Sequence, residues 1–127
     1  MDYVGDPANA KLYHWTDFEI GQMKGVAARH RSLNKRINLL IESCVDLKEA
    51  IKGSVYIPVP TYSIKKVAPF LGFKWRHDDV DAMTSMVLYW EYLENPKSKT
   101  IQKVIDYNED NCKAMVYTDD NLQELIK

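Results

Sequence analysis

Tyr107-Asn108-Glu109-Asp110-Asn111-Cys112 is the stretch of this chain whose side chains are best placed to do chemistry. It lies in a C-terminal run where Ile101, Val104, Ile105, Cys112, Met115 and Val116 recur at helical spacing and form one apolar stripe. A turn of about 100° per residue puts Tyr107 and Asn111 together at one margin of that stripe and points Asp110 to nearly the opposite side. The plain reading is a half-buried tyrosine with an amide partner one turn on. A second set, Lys65, Lys66, Lys74 and Arg76, is interleaved with Tyr62 and Trp75. Such a set can contact phosphates and stack on bases, and it equally describes a solvated basic face.

The elements that must carry these residues follow from capping and periodicity. Lys11–His14 reads as a short strand. Thr16-Asp17-Phe18-Glu19 has capping-box spacing, with Thr16 as cap, Glu19 reaching back, and Trp15 and Ile20 as a staple. Phe18, Met23, Val26 and Ala27 give that first helix its inward side. A second helix uses Ile37, Leu40 and Ile41. Cys44–Leu47 then forms a short strand or turn before a brief helix that ends at Gly53, with Asp46 as its cap. Val55–Pro60 favours extended backbone, but Pro58 and Pro60 remove donors, so it suits an edge strand or an unpaired segment. Ser63 caps a helix over Ile64, Val67, Ala68 and Leu71, distorted at Pro69 and closed by Gly72. Asp78 caps a long helix buried through Val80, Met83, Val87, Trp90 and Leu93. Asn95-Pro96 launches the final helix, which runs towards Leu125 with a break expected around Thr118–Asn121.

At 127 residues with 46% apolar composition, the chain is of single-domain size, with residues 1–10 expected to be a loose lead-in. A formal net charge of −1 gives no global attraction to nucleic acid or membrane, so any such binding needs a local patch. Cys44 and Cys112 have neither zinc-ligand spacing nor a disulfide framework around them. A reducing, cytoplasmic setting is expected, since no apolar run reaches membrane-spanning length. His14 and His77 are lone histidines. Cys112 reads as a core thiol.

Tyr107-Asn108-Glu109-Asp110-Asn111-Cys112 resembles the third motif of the RNase H-like 3′–5′ exonucleases of DEDD type, in which Tyr-x-x-x-Asp supplies a tyrosine and a metal-binding acid. Tyr13-His14-Trp15-Thr16-Asp17-Phe18-Glu19 is similar to that family's second motif, with Glu19 at the acidic position. Val45-Asp46-Leu47, Tyr56 to Ala68 and Leu71 to Arg76 look like the middle of one subgroup, the RNase H-like domains that accompany RecB-like nuclease modules. The register is continuous from Leu12 to about Leu122.

The resemblance implies hydrolysis of phosphodiester bonds in DNA or RNA by two divalent cations, Mg2+ or Mn2+, held by carboxylates. Tyr107 and Glu19 would be the catalytic residues, Glu19 and Asn111 would stand at metal-ligand positions, and Lys65, Lys66, Lys74, Trp75 and Arg76 would contact nucleic acid. The sequence departs from the family at two points. Position 111 is Asn, which offers one neutral oxygen but no negative charge, and Asp110 is turned too far round the helix to replace it. The first family motif, Asp-x-Glu, has no counterpart before Lys11. Glu19 also has a purely structural reading as a capping residue.

The expected fold is therefore α/β: the C-terminal portion of an RNase H-like domain lacking its N-terminal strands, dominated by helices, with two or three short strands. Nucleic-acid processing by an exonuclease-like domain is the expected function, weak or inactive in this chain alone. The alternative is a non-catalytic nucleic-acid-binding or protein-interaction module on the same scaffold. A homodimer or a companion chain is expected to cover an exposed sheet edge, and no membrane partner is expected.

Overall fold

The computed structural model describes residues 5–127. The chain forms two compact units, Met1–Ile57 and Pro58–Lys127. The fold class is the expected one: α/β, dominated by helices, with a single two-stranded parallel sheet among the described residues.

In the first unit, Pro7–Asn9 makes a 3-10 turn, held by the Asp6 carboxylate accepting from the Ala8 N–H (3.0 Å) and from Asn9 Nδ2 (3.2 Å). Residues 1–4 of the expected lead-in lie outside the described residues. Strand β1 (Leu12–His14) leads into helices α1 (Phe18–Arg29) and α2 (Asn34–Glu42), which return the chain to strand β2 (Cys44–Asp46). That helical return is what a parallel pair requires, and the register sets Leu12 opposite Cys44 and His14 opposite Asp46. Helix α3 (Leu47–Ser54) follows at once, capped as expected by Asp46, whose carboxylate accepts from the Glu49 N–H at 2.9 Å. Trp15, Ala27, Ile37, Leu40, Leu47 and Ile51 are buried and form the unit's core.

Two local expectations change here. Phe18 is 69% exposed rather than inward. Thr16 and Glu19 do not form a reciprocal capping box. Thr16 Oγ1 accepts from the Phe18 N–H (3.3 Å) and donates to Glu19 Oε2 (3.2 Å), so the glutamate meets a hydroxyl instead of a backbone donor. Residues 55–63 belong to no strand and bend at 59–61, as the missing donors of Pro58 and Pro60 allow.

The second unit is built from α4 (Ile64–Phe70), α5 (Ala82–Glu94) and α6 (Thr100–Ile126). Helix α4 carries Pro69 in its last turn and stops at Gly72, whose φ of +107° is open to glycine at little cost. Ser63 makes no side-chain cap bond to it. Asp81, not Asp78, caps α5, accepting from the Thr84 N–H at 2.7 Å. Asn95 ends α5 and shapes the turn that follows, its carbonyl accepting from Ser98 N (2.9 Å) and its Oδ1 from Lys97 N (3.3 Å). Helix α6 starts four residues beyond the expected proline and runs unbroken through Thr118–Asn121.

Both long helices present unexpected faces. The buried line on α6 is Tyr107, Asp110, Ala114, Thr118 and Leu122, rotated by about 120° from the stripe the sequence suggests. Ile105, Cys112 and Val116 are exposed. Helix α5 has no buried residue, and Met83, Val87, Trp90 and Leu93, expected inward, are exposed. Only Val80, just before the helix, is buried as expected. The core of this unit gathers Val67, Ala68, Val80, Tyr107 and Ala114, which favours small and ring-shaped side chains where α4 approaches α6.

Candidate functional site

The residues singled out in the second unit come together where α4 and the segment 71–81 meet the middle of α6. Trp75 stands edge-on to Phe73, with ring centroids 4.9 Å apart, and its Nε1 donates to Asn111 Oδ1 at 3.0 Å. The amide oxygen that would face a metal ion is thus turned to an indole N–H. Lys65 reaches from α4 across the same rings, its Nζ 4.1 Å from the Trp75 centroid and 4.6 Å from that of Tyr107. Nζ also donates to the Val80 carbonyl at 3.4 Å. Desolvation pulls the Lys65 ammonium below its usual range, against the opposing charges of Asp81 and Asp110. Tyr107, buried beneath the lysine, shares an edge with Asn111 as their spacing requires.

Asp110 corrects the sequence reading. It lies on the side opposite Ile101 and Ile105, as helix geometry dictates, but that side is the buried one, and Asp110 is only 3% exposed. A carboxylate can be buried there because Arg76 satisfies it from two directions. The Arg76 backbone N–H donates to Oδ2 at 2.9 Å, while Nε and Nη2 reach Oδ1 at 2.9 and 2.8 Å. Burial pushes the Asp110 carboxyl up, and the hydrogen bonds and charge of Arg76 outweigh that and hold it below the usual range.

Arg76 also bonds Glu109, Asp106 Oδ1 (3.3 Å) and the Asp106 carbonyl (3.1 Å), and the hydrogen bonds of Asp110 first and Glu109 next, with the charge of Asp106, hold its pKa above the ordinary value. His77 Nε2 lies 2.8 Å from Asp106 Oδ2, and Gln102 Nε2 donates to Asp106 Oδ1 at 2.8 Å. The hydrogen bonds of His77 and Gln102 lower the Asp106 carboxyl, and that of Arg76 lowers Glu109.

Of the five residues expected to contact nucleic acid, Lys66 and Lys74 are exposed. Arg76 is already paired with three carboxylates, Trp75 is half-buried against Asn111, and Lys65 is stacked on two rings. Sequence reasoning missed the role of Arg76, together with Asp106 and His77. The signal was present: Asp106, Glu109 and Asp110 stand at i, i+3 and i+4, an acidic row on one helix face that calls for a cation.

In the first unit, Glu19 is exposed near the start of α1, and its negative charge adds to burial in raising the Cys44 thiol. His14 is buried, its Nδ1 donating to the Thr16 carbonyl at 2.8 Å, and so orders the turn between β1 and α1.

A family model described as RNase H superfamily matches residues 1–123. The chain belongs to the RNase H superfamily. Neither the curated proteins nor the solved structures yield a match. The α/β fold dominated by helices, with its short parallel strands, is consistent with an RNase H-like domain. Superfamily membership places the chain among nuclease-like domains that process nucleic acid and generally use divalent metals. No helix of the described residues is long and apolar enough to cross a membrane.

The side chains do not fit the metal chemistry of such domains. Among the described residues, no three His, Cys, Asp or Glu side chains are grouped to hold an ion. The Asp110 oxygens are taken by Arg76, whose guanidinium would repel a dication, and the Asn111 oxygen is taken by Trp75. Tyr107, Asn111 and Asp110 are therefore packed and paired groups in this RNase H-like chain.

Proposed function

We propose that this RNase H-like chain is a nucleic-acid-processing domain of the DEDD-type 3′–5′ exonuclease kind, related to the domains that accompany RecB-like nucleases, and weak or inactive by itself. The observation that carries the reading is the superfamily match across residues 1–123, which takes in both Glu19 and the Tyr107–Asn111 pair. By family position Glu19 and Tyr107 would serve catalysis and Glu19 and Asn111 would stand at the ligand positions for Mg2+ or Mn2+, Asn111 only on release from Trp75; Asp110 is a poor substitute, its carboxylate being bonded to Arg76. Lys66 and Lys74, exposed, offer phosphate contacts, and Trp75 with Lys65 and Arg76 forms their support. A companion chain that adds a strand beside β1 would complete the sheet and bring further acids.

The second reading is a non-catalytic module that binds nucleic acid or protein on this scaffold. The pairing of the Asp106, Glu109 and Asp110 oxygens with Arg76, His77, Gln102 and Lys113 favours it for the isolated chain.

The test is manganese-dependent degradation of a 5′-labelled single-stranded oligonucleotide by the chain as it stands, by Glu19→Ala and by Asn111→Asp. Weak cleavage that Glu19→Ala abolishes and Asn111→Asp raises is the expected result for the exonuclease reading. Absence of cleavage in all three, with oligonucleotide retained in a gel shift that Lys66→Ala and Lys74→Ala weaken, replaces it with the binding module. Loss of both cleavage and binding refutes both.

A further inference from the structure

Helix α5 is apolar over most of its surface. Of its thirteen residues only Glu91 and Glu94 are charged, and none is buried. Its half-buried residues, Thr84, Ser85, Leu88 and Tyr92, fall on the side that meets α6, where Thr100 Oγ1 donates to the Leu88 carbonyl at 3.4 Å. The larger side chains point the other way. Met83, Met86, Val87, Tyr89, Trp90 and Leu93 are between 46% and 74% exposed and span an arc of about 160° on the outer face, which the exposed Glu94 enters only in the last turn. A helix whose outer side is as apolar as this one calls for a partner on that side as well as the one α6 supplies.

We infer that the second partner is another copy of this chain, and that the α5–α6 hairpin is a two-fold dimer interface closed as a four-helix bundle. Two features single out a second copy. The hairpin carries both halves of a self-complementary contact. A groove of about 520 Å³ between α5 and α6 is lined by Met86, Tyr89, Trp90, Ile101 and Ile105, with Ser85 and Asn108 as its polar members, and Met83 and Val87 beside it form a ridge at the helical spacing that such a groove accepts. The area also matches. With Ile105, 52% exposed, the patch presents roughly 800 Å² per protomer, so a pair removes at most about 1,600 Å² from water, within the range of a stable interface. A patch of this extent on a monomer would exceed what ordinary protein surfaces leave bare. The inference is independent of the nuclease reading.

Sedimentation equilibrium or light scattering on the full chain is the test, with far-UV circular dichroism as the control for folding. The expected result is a particle of twice 14.7 kDa at concentrations on the order of 100 µM, with dissociation at least about thirtyfold easier for Trp90→Glu. Met86→Glu should weaken the dimer similarly. Both side chains are exposed in the single chain, so neither change removes a core contact. A wild-type monomer overturns the inference, whether acrylamide quenching finds Trp90 open to solvent or shielded within its own chain. A dimer that both glutamates leave intact, as one formed through β1 would be, overturns it equally.

Discussion

Replacing Asp110 with alanine should cost this protein about 3 kcal/mol, although the sequence places the residue outside the apparent apolar stripe. The magnitude follows from what the carboxylate does. It accepts from the Arg76 backbone N–H and from two guanidinium nitrogens, at 2.8–2.9 Å, in a position only 3% exposed. Hydrogen bonds to charged groups contribute roughly 1.5–3 kcal/mol each, and truncation also strands a backbone donor. Breaking a fully buried pair costs about 3–5 kcal/mol. The lower end applies, because Arg76, unlike Asp110, is 43% exposed and keeps Asp106 and Glu109 as partners. In thermal unfolding followed by far-UV circular dichroism, this is a fall in Tm of about 10 °C for a chain of this size. Asp110→Asn retains one acceptor oxygen for the backbone N–H and should lose about half as much. The partner measurement is Cys112→Asp. Position 112 is exposed, so a charge there should change stability by less than about 0.5 kcal/mol. If Cys112→Asp unfolds the protein while Asp110→Ala leaves Tm unchanged, α6 is rotated the other way and the site as described is wrong.

Thr118 is fully buried and its hydroxyl has no partner among the described residues, so the nearly isosteric Thr118→Val should raise stability by about 1 kcal/mol in urea unfolding; a loss would show that the hydroxyl is bonded after all. Gly72→Ala should destabilise by more than about 1 kcal/mol, because φ is +107° and the added Cβ would meet Tyr117 Oη at 3.0 Å, where that hydroxyl donates to the Leu71 carbonyl. Acid should weaken the second unit in a defined window. The native carboxyls of Asp106, Glu109 and Asp110 lie below their ordinary values of 3.8, 4.5 and 3.8, so their contribution is complete above those values and is lost as pH falls through the lower native ones. Urea midpoints should hold steady from about pH 7 to pH 5 and decline below about pH 4.5, with a shallower decline in Asp110→Asn. A midpoint that rises on acidification would contradict the pairing with Arg76.

The sequence by itself determined what depends on neighbours within a few residues. The strand at Leu12–His14, the strand and cap at Cys44–Asp46, the stop at Gly72, and the shared edge of Tyr107 and Asn111 are local consequences of alternation, capping and helix pitch. Family membership was legible for a similar reason, since it rests on short runs of residue types in order. What only the tertiary structure decided was which side of each long helix faces inward. Helix α6 carries two credible faces, one of Ile101, Ile105, Cys112 and Val116, the other of Tyr107, Asp110, Ala114 and Thr118. Periodicity favours the first because it counts apolar residues. The second is buried because Arg76, thirty-four residues before Asp110, neutralises its acid, and because small side chains at 114 and 118 let the chain pack close. The same limit hid the outer face of α5: a largely apolar helix announces burial, but no sequence pattern states what it is buried against.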